Sequence, residues 1–317
     1  MQLADSYDLL MTYAKVAEGF TVKAPPPTIV NDAPARSEVV VDAAGLTDRG
    51  RERARNEDAF LVATLERSLH VHRTNLPDDF QQSLAPDDSV LLMLVADGMG
   101  GQHGGDLASR VAVASVSAYI AHYMPWVPPR TMATVPSTQS LPDIRAELDH
   151  ALAIGDSEVQ SAGAQRAMPG MGTTLTLAYV AFPRLYVSHV GDSRCYLFRA
   201  GGLSRLTTDH TLAEQLRQSG RPVAAPQWDH VLWNALGGGE AGVKPEIHRI
   251  SLEPGDAVML CSDGLTKHVP DEAIASILNR MSDATNASRE LVDAANAGGG
   301  SDNVTAVVAR FGQRVVR

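Results

Sequence analysis

Two stretches of this 317-residue chain are built alike, each an apolar run that ends on Asp-Gly. Val90–Ala96 leads into Asp97-Gly98, and Ala257–Ser262 leads into Asp263-Gly264. Apolar runs of this length with little alternation read as strands buried on both faces. Each therefore carries a carboxylate to the end of a buried strand, and the glycine behind it lets a backbone carbonyl approach a ligand closely. Further acids mark other strand margins: Glu57-Asp58 before a strand at Ala59, Asp192 between two strands, and Asp302 before the last strand. Such carboxylates cannot share a dry site unless cations neutralise them. Oxygen-only ligands suit hard cations such as magnesium, manganese or calcium, and no histidine or cysteine spacing here supports zinc.

The elements that must position these acids are mostly strands. The pattern predicts strands at Val39–Val41, Ala59–Ala63, Val90–Ala96, Thr174–Ala181, Leu185–Val190, Arg194–Phe198, Glu246–Leu252, Ala257–Ser262 and Val304–Phe311. Helical spacing marks Leu107–Tyr123, Ile144–Ala162, Thr211–Ser219, Asp271–Met281 and Ala287–Ala297. Glu253-Pro254-Gly255-Asp256 reads as a hairpin turn between the two strands that flank it. Antiparallel strands apolar on both faces, together with a few long helices, predict an α+β fold. Two sheets pack as an antiparallel β-sandwich with helices outside, in α-β-β-α layers. Residues 1–38 read as a leader, with a short helix in Tyr7–Phe20 and the stiff linker Ala24-Pro25-Pro26-Pro27. A single domain then spans 39–313, and 314–317 form a tail.

The bulk numbers narrow the class. Apolar residues make up 44% and charged residues 20%, as in globular proteins. A net charge of −10 without a basic cluster argues against a nucleic-acid partner. No apolar run reaches the length of a membrane span, and the N-terminus lacks the pattern of a signal peptide. The two cysteines, Cys195 and Cys261, lie in apolar runs and read as small buried hydrophobes of a reducing, cytoplasmic compartment. Neither starts a nucleophile loop with arginine after five intervening residues, since Gly201 and Lys267 stand there.

Taken in order, these motifs resemble the metal-dependent serine/threonine phosphatases of the protein phosphatase 2C (PPM) family, especially its bacterial branch. The resemblance covers roughly residues 40–312. It is carried by Arg53 with Asn56-Glu57-Asp58, the block Val95–Gly101, Gly172-Thr173-Thr174, Val190–Arg194, Cys261–Thr266 and Ser301–Val304.

The resemblance implies two metal ions, manganese or magnesium, at one end of the sandwich, bridged by a hydroxide that attacks phosphoserine or phosphothreonine. By it Asp97 bridges both ions, Gly98 offers its carbonyl to one, and Asp263 and Asp302 ligate the other. Glu57 and Asp58 stand close by, and Asp192 ligates a third, weaker ion. Arg53 holds the substrate phosphate, a task that suits its fork. His103, which follows Gln102 where bacterial relatives often have histidine, becomes the candidate general acid. The implied partners are phosphorylated proteins, with a cognate serine/threonine kinase behind them. A small phosphorylated metabolite is the alternative substrate. A non-catalytic scaffold is the further alternative, against which the intact acids argue.

Two local features complete the reading. Where the family usually carries another aspartate after Asp263-Gly264-Leu265-Thr266, this chain has Lys267. Its ammonium either repels a third ion or points to the surface. Residues 205–236 resemble the flap of bacterial members. There Arg205, Arg217, Arg221, Trp228 and Trp233 are candidate phosphopeptide contacts, or packing residues in the case of the tryptophans.

Overall fold

Alternate residues of the buried strands serve two different cores, which is why their sequences show no alternation. A computed structural model describes residues 36–66, 89–100, 104–124, 143–223, 225–238 and 242–316. The body is Ser37–Arg314. In chain order come β1 (Arg36–Asp48), β2 (Asp58–Glu66), β3 (Ser89–Met99), α1 (Gly104–His122) and α2 (Ile144–Gln165). Then follow β4 (Gly172–Thr173), β5 (Leu175–Ala181), β6 (Arg184–Val190), β7 (Arg194–Arg199), β8 (Gly202–Arg205) and α3 (Leu212–Gln218). The chain continues with β9 (Glu246–Ser251), β10 (Ala257–Cys261), α4 (Asp263–Thr266), α5 (Asp271–Arg280), α6 (Ala284–Ala297) and β11 (Val304–Val316).

One sheet has the order β1-β11-β10-β7-β8, the other β2-β3-β5-β6-β9, with β4 paired to β3. Between the sheets lie Leu91, Met93 and Val95 of β3 with Val258 and Leu260 of β10 and Val307 and Ala309 of β11. On the outer face of β3, Leu92, Leu94 and Ala96 pack with Ala112 and Val116 of α1 and Leu148 and Leu152 of α2. Met259, Cys261, Ala306 and Val308 pack outward against Ile274 of α5 and Leu291 of α6. The layers are α-β-β-α, as the sequence predicts. Cys195 and Cys261 are free and fully buried, and burial pushes the Cys261 thiol up to about 12, so neither is a nucleophile. No helix among the described residues is long and apolar enough to cross a membrane.

One expectation fails. The strands on either side of Glu253–Asp256 do not form a hairpin: β9 pairs with β6 in one sheet, and β10 with β7 and β11 in the other. A Pro-Gly turn specifies a change of direction but not the next strand's partner. Here Asp256 accepts a two-pronged bond from Arg199 at 2.8 and 2.7 Å, and Gly255 N–H donates to Phe311 O at 2.6 Å. These tie the turn to the sheet that β10 enters. The leader helix expected in Tyr7–Phe20 and the linker Ala24-Pro25-Pro26-Pro27 lie outside the described residues.

Candidate metal centre

The two Asp-Gly pairs reach the same place by different local structures. In β3 the ladder continues past the apolar run: Asp97 stands opposite Asp58 of β2, and Gly98 opposite Thr173 of β4. A Cβ on Gly98 would collide with the Gly105 carbonyl and lie 2.7 Å from Glu57 O, so this close crossing of backbones requires glycine. The second pair instead follows the end of β10, where Ser262 is the N-cap and Asp263 opens α4. Asp192 lies in the link from β6 to β7, which carries the chain from one sheet to the other. Glu57 precedes β2 and Asp302 precedes β11.

Arg53, Glu57, Asp97, Gly98, Asp192, Asp263, Lys267 and Asp302 line a single cleft of about 390 Å³. Asp58 is buried beside them, its Oδ2 accepting from Ser262 Oγ at 2.7 Å and Thr305 Oγ1 at 2.6 Å. Of the residues expected at the site, only His103 is not placed, since 101–103 lie outside the described residues.

Electrostatics separate these carboxylates into two kinds. Burial pushes Asp58 up to about 7 against the pull of its two hydroxyl donors, and Asp263 and Asp302 raise it further. Asp97 lies well above the usual carboxylate range, through burial and then the charges of Asp58, Asp263 and Asp192. Burial followed by Asp263 and Asp209 raises Asp192 to about 7. Asp302 behaves oppositely: burial opposes its charge, but Lys267, the Asn303 N–H and Arg53 hold it below the usual range.

The donor set fits hard divalent cations. Every donor is oxygen, and Asp58 Oδ1 and Asp263 Oδ1 are buried with no hydrogen-bond partner. Orphaned acceptors in a cleft with excess negative charge are the groups such an ion satisfies.

Two basic residues lie on the acids of the cleft. Arg53 reaches over the cleft with its side chain 53% exposed, its fork spent on Asp302 through Nε to Oδ1 and Nη2 to Oδ2, both 2.8 Å. Lys267 does not point to the surface; its Nζ lies 2.6 Å from Asp263 Oδ2 and 2.7 Å from Asp302 Oδ2.

Sequence reasoning gave Asn303 no task, although its place directly after Asp302 at a strand start was the available signal. Its Nδ2 donates to Arg49 O and Arg55 O, both at 2.8 Å, and its Oδ1 accepts from Glu57 N–H at 2.8 Å. One buried amide thus clamps the 49–57 segment, with Arg53 and Glu57, onto the start of β11. Asn303→Ala strips these groups of that bond and is expected to lower stability by about 2–4 kcal/mol. Urea unfolding monitored by circular dichroism checks this.

His189, His210 and Glu246 also converge, with candidate ligand atoms within 4.8 Å of one another. Three of the four ring nitrogens already have hydrogen-bond partners, and His210 Nε2 lies 3.8 Å from Glu246 Oε2. His189 Nδ1 meets Thr176 Oγ1 at 2.9 Å, and its Nε2 faces the carbonyls of Gly191 and Thr208. His210 Nδ1 accepts from the Gly191 N–H at 3.2 Å, and the backbone N–H of His210 donates to Gly191 O at 2.7 Å. Burial and then His210 push His189 down to about 3, so it is a neutral pin. The pair fastens the flap to the loop that carries Asp192.

Within the flap, His230 and Leu232 line the cleft. Arg205 is committed to Asp209 and Arg217 to Asp229, while the Trp233 ring packs on His210 at 4.9 Å. Arg205 and Arg217 therefore brace the 205–236 segment in this arrangement.

A family profile described as protein phosphatase 2C matches residues 68–296. The serine/threonine protein phosphatase PstP of Mycobacterium tuberculosis is 32% identical over 280 residues, covering 87% of this chain and 46% of that protein. The chain thus spans about half the length of that relative. The serine/threonine phosphatase stp of Listeria monocytogenes is 30% identical over 266 residues, covering 83% of this chain and 92% of that one. Among solved structures, M. tuberculosis PstP/Ppp matches with a TM-score of 0.67 and 32% identity, over 86% of this chain and 99% of that chain. The catalytic domain of PstP in complex with two manganese ions matches with a TM-score of 0.66 and 33% identity, over 87% and 100%.

Proposed function

The chain belongs to the protein phosphatase 2C family, and from that premise we propose that it hydrolyses phosphoserine and phosphothreonine in proteins at a binuclear manganese or magnesium centre. The observation that carries this reading is the convergence of Asp97, Asp263 and Asp302 on one cleft beside orphaned acceptors on Asp58 and Asp263. The two manganese ions in the similar PstP catalytic domain support it.

Asp97, the Gly98 carbonyl, Asp263 and Asp302 would hold the two ions, with Glu57, Asp58 and Asp192 around them. Bound there, divalent ions acidify a water molecule into a nucleophile and offset charge on the phosphoryl oxygens. The chain's own groups prepare the rest. Ser262 and Thr305 fix Asp58 through Oδ2, so its Oδ1 is held as a preset acceptor. Arg53 exchanges the Asp302 carboxylate for two phosphoryl oxygens, since both present paired acceptors to the guanidinium fork. His103 is the general acid for the departing alkoxide.

The substrates are cytoplasmic phosphoproteins modified by a cognate serine/threonine kinase. The test is phosphate release from phosphothreonine and phosphoserine peptides and from phosphosugars, with manganese and with excess chelator. Peptides are expected to be hydrolysed about a hundredfold or more faster than sugars, and only with metal. Turnover that survives the chelator contradicts the metal centre, and a preference for phosphosugars contradicts the protein substrate.

A further inference from the structure

Among the described residues, the cleft contains one cation that the proposed reaction does not employ. Lys267 lies four residues after Asp263, so one turn of α4 returns its side chain over that carboxylate. Its ammonium also reaches Asp302 at the start of β11, joining acids from two separate elements. The side chain is 27% exposed, and the two carboxylates hold its head in the cleft.

The charges close in a simple way. Among the described residues, Glu57, Asp58, Asp97, Asp192, Asp263 and Asp302 bring six carboxylates to the site, and Arg53 and Lys267 bring two cations. Fully ionised, the set keeps four negative charges, the charge of two divalent ions. A third ion would leave an excess positive charge where solvent screens it poorly.

Oxygen occupancy points the same way. Asp302 Oδ1 accepts from Arg53 Nε and Asn303 N–H, and its Oδ2 from Arg53 Nη2 and Lys267 Nζ. Asp263 gives Oδ2 to Lys267 and keeps Oδ1 buried without a partner. An ion that takes either Oδ2 must displace the ammonium.

We infer that Lys267 is an internal counter-ion that competes with divalent cations for Asp263 and Asp302, holds the acidic cleft together without metal, and restricts it to two ions. The inference rests on the metal-centre reading of the same cleft.

The test compares wild type, Lys267→Met and Lys267→Asp by calorimetric manganese titration, a count of bound ions after dialysis, and melting temperatures in EDTA and in manganese. Wild type is expected to hold two ions. Lys267→Met binds manganese about tenfold or more tighter. It melts lower than wild type in EDTA and no lower in manganese, because the ion then replaces the lost ammonium. Lys267→Asp changes the cleft by two charge units and gains a third ion. Unchanged or weaker affinity in Lys267→Met overturns the inference, as does an equal loss of melting temperature in both conditions, the signature of a merely structural lysine. Three ions on wild type, or two on Lys267→Asp, overturn it as well. Wild type that binds no manganese overturns the metal centre itself and this inference with it.

Discussion

Asp97→Asn is expected to reduce phosphopeptide hydrolysis on the order of a thousandfold or more, to weaken manganese binding, and to leave the metal-free fold intact or more stable. The three effects have one cause. Asp97 is buried opposite Asp58, and the neighbouring charges of Asp58, Asp263, Asp192 and Asp302 all oppose its ionisation. Its ionised form is unfavourable in the cleft without a cation and becomes useful with one. Asparagine keeps the volume and removes the charge, so the metal-free protein is relieved of repulsion while the shared ligand is lost. Backbone contacts survive the change, since Thr174 Oγ1 accepts from Asp97 N–H at 2.9 Å and Thr174 N–H donates to Asp97 O at 2.9 Å. Steady-state kinetics, manganese titration and melting in EDTA measure the three quantities. A variant that keeps wild-type turnover would remove Asp97 from the mechanism.

The second large effect is on stability against pH. In EDTA, the protein is expected to lose stability as pH rises from about 6.5 to 8. Asp58 and Asp192 are raised to about 7 and Asp97 lies well above the usual range, so the folded state holds protons that the unfolded chain has released. Stability from these groups is fully present below the unfolded pKa near 4 and is lost as pH passes through the folded values. One group shifted by about three units loses about 4 kcal/mol over the whole span from about pH 4 to 7, and only the last part of that loss falls above about pH 6.5. His189, down to about 3, and His210, also lowered, act with the opposite sign, but only below the unfolded histidine pKa near 6.5. Asp302 is lowered and contributes nothing in this window. Manganese binds the ionised carboxylates, so the stability gap between metal-loaded and metal-free protein widens with pH. Denaturant midpoints across this range, with and without manganese, give the slope. A flat or rising metal-free profile contradicts the assignment of these three acids to one unneutralised cluster.

Much of the centre is readable from residue types in order along the chain. Asp97-Gly98, Asp192, Asp263-Gly264 and Asp302 fall at strand margins, and that pattern points to one shared acidic site, whereas its place at one end of a sandwich came from the family resemblance. The apolar runs of β3 and β10 suffice for strands covered on both sides, because alternation disappears when both faces are dry. Turn residues did not reveal which sheet receives a strand, as the missing hairpin between β9 and β10 shows. Nor did residue type reveal the direction of a long side chain: Lys267 turns inward onto two carboxylates, and Arg53 lies on Asp302.

Local pattern was enough for the kind of chemistry, because oxygen donors, glycines and buried strands are properties of short segments. Ionisation and orientation were settled only in the folded molecule. Asp58 is held by Thr305 across 247 positions of chain, and Asn303 clamps Arg49 across 254. Desolvation and charge repulsion depend on distance in space, and those distances exist only once the two sheets have closed on each other.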